Sequence, residues 1–103
     1  MKEEYKQLEL VQNKEKHRFE LKVNDKLAII EYINSPTSIY LTHTEVAPEI
    51  EGKGVASAII EKTLGFIESE NLKLVPLCPL VAAFIKKHPE WERVLDARVN
   101  IAE

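Results

Sequence analysis

The apolar pattern of this chain changes period near its middle, and a pair of glycines marks the change. Ile39-Tyr40-Leu41-Thr42-His43-Thr44-Glu45-Val46 is an apolar, β-branched run of strand character. Beyond it, Val55, Ala56, Ile59, Ile60, Thr63, Leu64 and Ile67 recur at helical spacing. Between the two lies Glu51-Gly52-Lys53-Gly54-Val55-Ala56. A strand, a glycine turn and a helix N-terminus in that order form a general anion site. The first N–H groups of a helix have no acceptor within it, and its positive dipole end favours negative charge. Glycine lets the backbone approach a ligand closely. The arrangement points to a phosphate-bearing cofactor at a strand–helix junction, although two glycines before a helix also occur in plain turns. Neither G-x-G-x-x-G nor G-x-x-x-x-G-K-[ST] is present. Their absence argues against a Rossmann dinucleotide site and a triphosphatase loop.

The rest of the sequence supplies the setting. With 103 residues the chain is expected to be a single domain, residues 1–103, large enough for one core. Its net charge of −3 comes from interspersed acids and bases, with no basic face for nucleic acid. Cys78 is the only cysteine, so no internal disulfide can form, which suits a reducing cytoplasm. The N-terminus lacks the apolar segment of a signal peptide, and no run approaches a membrane span. No membrane partner is expected, and the chain reads as a monomer or weak dimer. His17, His43 and His88 have no ligand-like spacing, so no metal site is expected.

Four strands are expected before the glycines. The first begins with Leu8, Leu10 and Gln12 and ends at Asn13-Lys14-Glu15-Lys16. Arg18 to Val23 alternates, with Phe19, Leu21 and Val23 on one face. Asn24-Asp25 predicts a two-residue hairpin turn, since both residue types tolerate positive φ. Leu27 to Ile33 and Ser38 to Val46 follow, joined by Asn34-Ser35-Pro36-Thr37, giving an antiparallel meander. A helix from Val55 to Glu70, stopped at Asn71, leads to a fifth strand, Lys73 to Leu77. That crossover would make strands four and five parallel. Val81 to Lys87 predicts a second helix ended by Pro89, and Trp91, Val94 and Leu95 a closing turn. The tail from Asp96 carries no signal.

Antiparallel strands followed by a β-α-β-α unit on a mixed sheet, an α+β class, resemble the GNAT acetyltransferase fold. Glu51-x-x-Gly54-x-Ala56 stands where the family carries [Q/R]-x-x-G-x-[G/A] at its pyrophosphate turn. His43-Thr44-Glu45-Val46, Gly52-Lys53-Gly54, Val75-Pro76-Leu77-Cys78-Pro79 and His88-Pro89-Glu90-Trp91 together look like the small single-domain members. The resemblance spans roughly residues 8 to 95. It implies acetyl-coenzyme A as cofactor, with Val46 offering main-chain groups to the pantetheine arm. Glu51, Gly52, Lys53, Gly54, Val55 and Ala56 would cradle the pyrophosphate. It also implies N-acetyl transfer to a small-molecule or protein amine. The alternative is a non-catalytic module that binds coenzyme A or acyl-CoA for regulation.

Acetyl transfer needs a free amine lone pair, a polarised carbonyl and a proton for the departing thiolate. His43 and Glu45 lie two apart on strand four and thus share a face, where either could take the proton. A strand-four N–H, that of Val46, would stabilise the carbonyl oxygen. Cys78, past the end of strand five, stands close to where the family places the thioester sulfur. It is a candidate acetyl carrier or proton donor to the departing thiolate, and equally a small buried apolar residue. Glu51 replaces the usual Gln or Arg and cannot donate to phosphate. Phe84 replaces a tyrosine that often serves as general acid in the family. Lys53, Lys86, Lys87 and His88 could meet phosphates or could be solvated cations.

Overall fold

A computed structural model describes residues 1–100. The strands, labelled in chain order, are β1 (Val11–Asn13), β2 (Arg18–Val23), β3 (Lys26–Asn34), β4 (Ser38–Val46) and β5 (Lys73–Pro76). They form one five-stranded sheet in the order β1-β2-β3-β4-β5. The first four pair antiparallel, and β5 pairs parallel to β4. The helices are α1 (Glu3–Lys6), α2 (Val55–Ser69) and α3 (Pro79–Lys87), with short 3-10 turns at Pro48–Ile50 and Pro89–Val94. The expected α+β class and mixed sheet are therefore present. The tight turn at Asn24-Asp25 is also present, with φ of 51° and 64°, as is the left-handed stop at Asn71, with φ of 56°.

The core fills one side of the sheet. Phe19, Leu21, Ala28, Ile30, Ile39 and Leu41 are wholly buried, as are Ile59, Leu64 and Ile67 of α2. Phe19 meets Phe66 of α2 edge-on at 5.4 Å. On the opposite face Lys22, Glu31, Ile33, His43 and Glu45 are exposed, and Arg18 donates to Glu20 at 2.7 Å. Both faces meet in β4 because its register slips once. Glu31 pairs with His43 while Tyr32 pairs with Leu41, leaving Thr42 as the extra residue of a β-bulge. One added residue reverses the alternation. Before the bulge Ile39 and Leu41 point inward; after it Thr44 does, and His43 and Glu45 point outward.

The termini depart from the expected pattern. A four-residue helix that the polar sequence did not announce places Tyr5 in the core, 3% exposed. The first strand is shorter than expected and starts at Val11. Leu8 instead packs against the core, and its carbonyl accepts from Lys62 of α2 at 2.8 Å. The second helix starts two residues earlier than expected, at Pro79, because proline suits the first helical position and Cys78 takes the extended cap conformation before it.

Asp96 is also tied to the sheet. Asp96 accepts from the buried Ser38 hydroxyl at 2.7 Å, and the Asp96 N–H donates to the Leu74 carbonyl at 2.9 Å. These bonds tie the chain after the last turn to the starts of β4 and β5. The Arg98 side chain, its backbone N–H and the Ser38 hydroxyl hold the Asp96 carboxyl well below the usual carboxylate range. A depressed folded value means that the contribution is complete above the unfolded value, about 3.9, and lost as pH falls further. Asp96→Asn should lower the unfolding midpoint at pH 7. The gap to the parent should narrow steadily in thermal melts as pH falls below about 3.9. A gap unchanged at low pH would mean that the charge of Asp96 is not what stabilises this junction.

Candidate functional site

The site is built where β4 and β5 part. β5 pairs with β4 only through Ser38–Leu41 and ends at Pro76. The Cys78 N–H gives the last link, to the Leu41 carbonyl at 2.9 Å. Beyond Leu41, β4 continues past the bulge with β3 alone. Its orientation there follows from one bond. The Ala47 N–H donates to Leu27 at 3.0 Å, so by the alternation of an antiparallel ladder Glu45 and His43 also bond toward β3. Thr44 and Val46 then turn their N–H and carbonyl groups the other way, into the gap. Val46 is thus one of two residues offering main-chain groups at that edge.

The glycine turn closes the end of the gap. Gly52 and Gly54 have φ of 76° and 80°, the left-handed region that side chains disfavour. Gly54 caps α2 with no side-chain hydrogen bond. The first helical bond runs from the Ala58 N–H to the Gly54 carbonyl at 3.1 Å, leaving the N–H groups of Val55, Ala56 and Ser57 without a helical acceptor. A Cβ built on Gly52 would meet no atom within 4 Å, so the space before the turn is open. Between turn and strand lies a cavity of about 420 Å³ lined by Thr44, Glu45, Val46, Ile50, Glu51, Gly52, Gly54, Val55, Ala56 and Leu80. Unpaired N–H groups at one end and Ile50 and Leu80 beside them suit an extended ligand with a phosphate head and a largely apolar arm.

All the residues expected at the cofactor turn except Lys53 line this cavity. Lys53 instead turns its carbonyl to the Tyr5 hydroxyl, 2.8 Å away. Leu80 was missed because α3 was expected to begin after it; its 51% exposure marks it as an apolar residue held at the cavity wall. Phe84 lies beyond, in the α2–α3 groove, with its ring 4.4 Å from that of His88.

The three candidate catalytic residues do not converge. His43 and Glu45 share a face as expected, with His43 Nε2 3.3 Å from Glu45 Oε1 and both side chains exposed. Glu45 reaches the cavity mouth, whereas His43 does not line it. Cys78 is on the other side of the strand. The residue is 3% exposed, and its thiol lies 3.2 Å from the Thr44 hydroxyl, which projects to the core face. The bulge at Thr42 causes this separation, because it fixes which residues of β4 face inward.

The comparisons with known proteins agree with this geometry. Residues 18–94 match the model of the family described as GCN5-related N-acetyl-transferase. The chain is 26% identical over 81 residues to Protein NATD1 of Xenopus tropicalis, an alignment covering 75% of this chain and 73% of that protein. The matched span runs from the first residue of β2 to the last turn and takes in both the parted strands and the glycine turn. On that extent, this chain belongs to the GCN5-related N-acetyltransferase family.

Proposed function

We propose that the protein is an acetyl-CoA-dependent N-acetyltransferase acting on a small-molecule or protein amine. The observation that carries this reading is the cavity between the parted half of β4 and the glycine turn. Glu51 to Ala56 would hold the pyrophosphate through backbone N–H groups, while Val46 and Leu80 would border the pantetheine arm. Bound there, the cofactor supplies an activated acetyl thioester. The Val46 N–H, one of the two strand N–H groups that face the gap, would serve as the donor for an oxyanion. Glu45, at the cavity mouth with His43 beside it, would accept the amine proton, directly or through water. A non-catalytic coenzyme A-binding module is the second reading. Phe84 favours it, since the second helix offers no hydroxyl there as a general acid.

Thermal unfolding with and without coenzyme A tests the binding half of the proposal. At 100 times Kd a ligand of the folded state adds about 2.7 kcal/mol, which for a domain of this size is a rise of roughly 10–20 °C. No rise at millimolar coenzyme A would remove both readings. Release of free coenzyme A with a panel of amines then separates enzyme from binder.

Burial of Cys78 against Thr44 favours direct attack by the amine over an acetyl-cysteine carrier. Acetyl-CoA without acceptor should leave the intact mass unchanged. Cys78→Ala should leave the rate within about fivefold of the parent, since the thiol faces the core, and should lower stability by about 1 kcal/mol for the lost hydrogen bond. A stoichiometric, thiol-labile acetyl group on Cys78 that chases onto an amine would establish the carrier route instead.

A further inference from the structure

The N-terminal segment folds over the glycine turn. Tyr5 is buried, and its hydroxyl donates to the Lys53 carbonyl at 2.8 Å, 48 residues away. The Lys62 ammonium of α2 holds the same segment from the other end, donating to the carbonyls of Leu8 at 2.8 Å and Lys6 at 3.3 Å. Lys2 comes close to the turn itself. A Cβ built on Gly54 would lie 3.9 Å from Lys2 Cε, and the Lys2 ammonium stands 5.9 Å from the centroid of the Tyr5 ring.

Two consequences follow from elementary geometry. In a trans peptide the carbonyl and the next N–H point in opposite directions. A hydroxyl that pins the Lys53 carbonyl therefore also fixes the Gly54 N–H, directing it away from Tyr5. Gly54 lines the cavity and Lys53 does not. The second consequence is electrostatic. Glu51 lines the cavity and carries a negative charge where a phosphate is to be held. A cation near Gly54 offsets part of that charge.

We infer that residues 1–8 are part of the phosphate site, with Tyr5 as a positioning residue for the Gly54 N–H and Lys2 as a cation near Gly54 whose charge favours the pyrophosphate. The inference rests on the coenzyme A reading given above. It assigns to a segment remote in sequence the ionic contact that Glu51 cannot make at the turn.

The test uses the full chain and four proteins: the parent, Lys2→Ala, Lys2→Arg and Tyr5→Phe. Coenzyme A affinity is measured by calorimetry at low and at high salt. The Gly54 amide is followed by NMR during titration with inorganic pyrophosphate. Lys2→Ala should weaken coenzyme A binding about fivefold at low salt, with the difference shrinking as salt screens the contact. Lys2→Arg should restore it. Tyr5→Phe, which keeps the ring, should weaken binding three- to tenfold, roughly the worth of one hydrogen bond, and should abolish the pyrophosphate shift of the Gly54 amide. Parent-like affinity in Lys2→Ala and Tyr5→Phe, with a bound parent, overturns this inference and leaves the coenzyme A reading intact. So does a salt-independent loss in Lys2→Ala that arginine does not rescue, since that is the mark of a structural role. If Tyr5→Phe fails to fold, the exposed Lys2 and its two variants decide the matter alone. A parent that binds no coenzyme A overturns both.

Discussion

Glu45→Gln combined with His43→Gln is expected to lower kcat/KM by about 10²–10⁴-fold, the range for loss of a general base, while coenzyme A affinity stays at the parent level. The two side chains stand on the solvent side of β4, 3.3 Å apart, and Glu45 alone of the two reaches the cavity. The single variants should therefore differ. Glu45→Gln should carry most of the loss, since glutamine keeps the shape and removes the proton acceptor. His43→Gln should cost less, because His43 acts through its contact with Glu45. Neither side chain is packed, so the unfolding midpoint should move little. A folded double variant with parent rates would place the proton acceptor elsewhere.

Gly54→Val is expected to remove coenzyme A binding, raising Kd at least tenfold, and to lower stability as well. The reason lies in the backbone. Gly54 has φ of 80°, and its Cβ position is only in ordinary contact with Lys2. Packing therefore tolerates a small side chain there, but a β-branched residue in the left-handed region costs about 1–2 kcal/mol or more. The turn would relieve that strain by rotating, and the N–H groups at the start of α2 would no longer converge. Gly54→Ala should show the same direction with smaller size. Equal coenzyme A affinity in Gly54→Val and the parent would put the binding site away from this turn.

The middle of the chain was legible because its patterns are strong and local. Arg18 to Val23 alternates without interruption, Asn24-Asp25 can take positive φ, and α2 carries seven buried residues at helical spacing. The glycine turn and the residues around it were legible for the same reason. What could not be read depends on contacts distant in sequence. A four-residue helix is too short to show a period, and Tyr5 is fixed by Lys53 and the core. Asp96 is held by Ser38, 58 residues earlier. The bulge left no mark either, since Thr42, His43 and Thr44 are all polar and no alternation identifies which of them is extra. For that reason the sequence does not show that Cys78 and His43 lie on opposite sides of the strand.

That bulge gives β4 something like a reading frame. Residues up to Leu41 are read in one phase and residues from His43 in the other, with Thr42 as the shift between them. Substitutions within the strand change one letter at a time and leave the phase intact. A single insertion or deletion on either side would turn Thr44 out to solvent or bring His43 and Glu45 into the core. Only a compensating change across the bulge restores the phase. Descent along this strand can therefore proceed freely by replacement, while changes of length must occur in pairs or not at all.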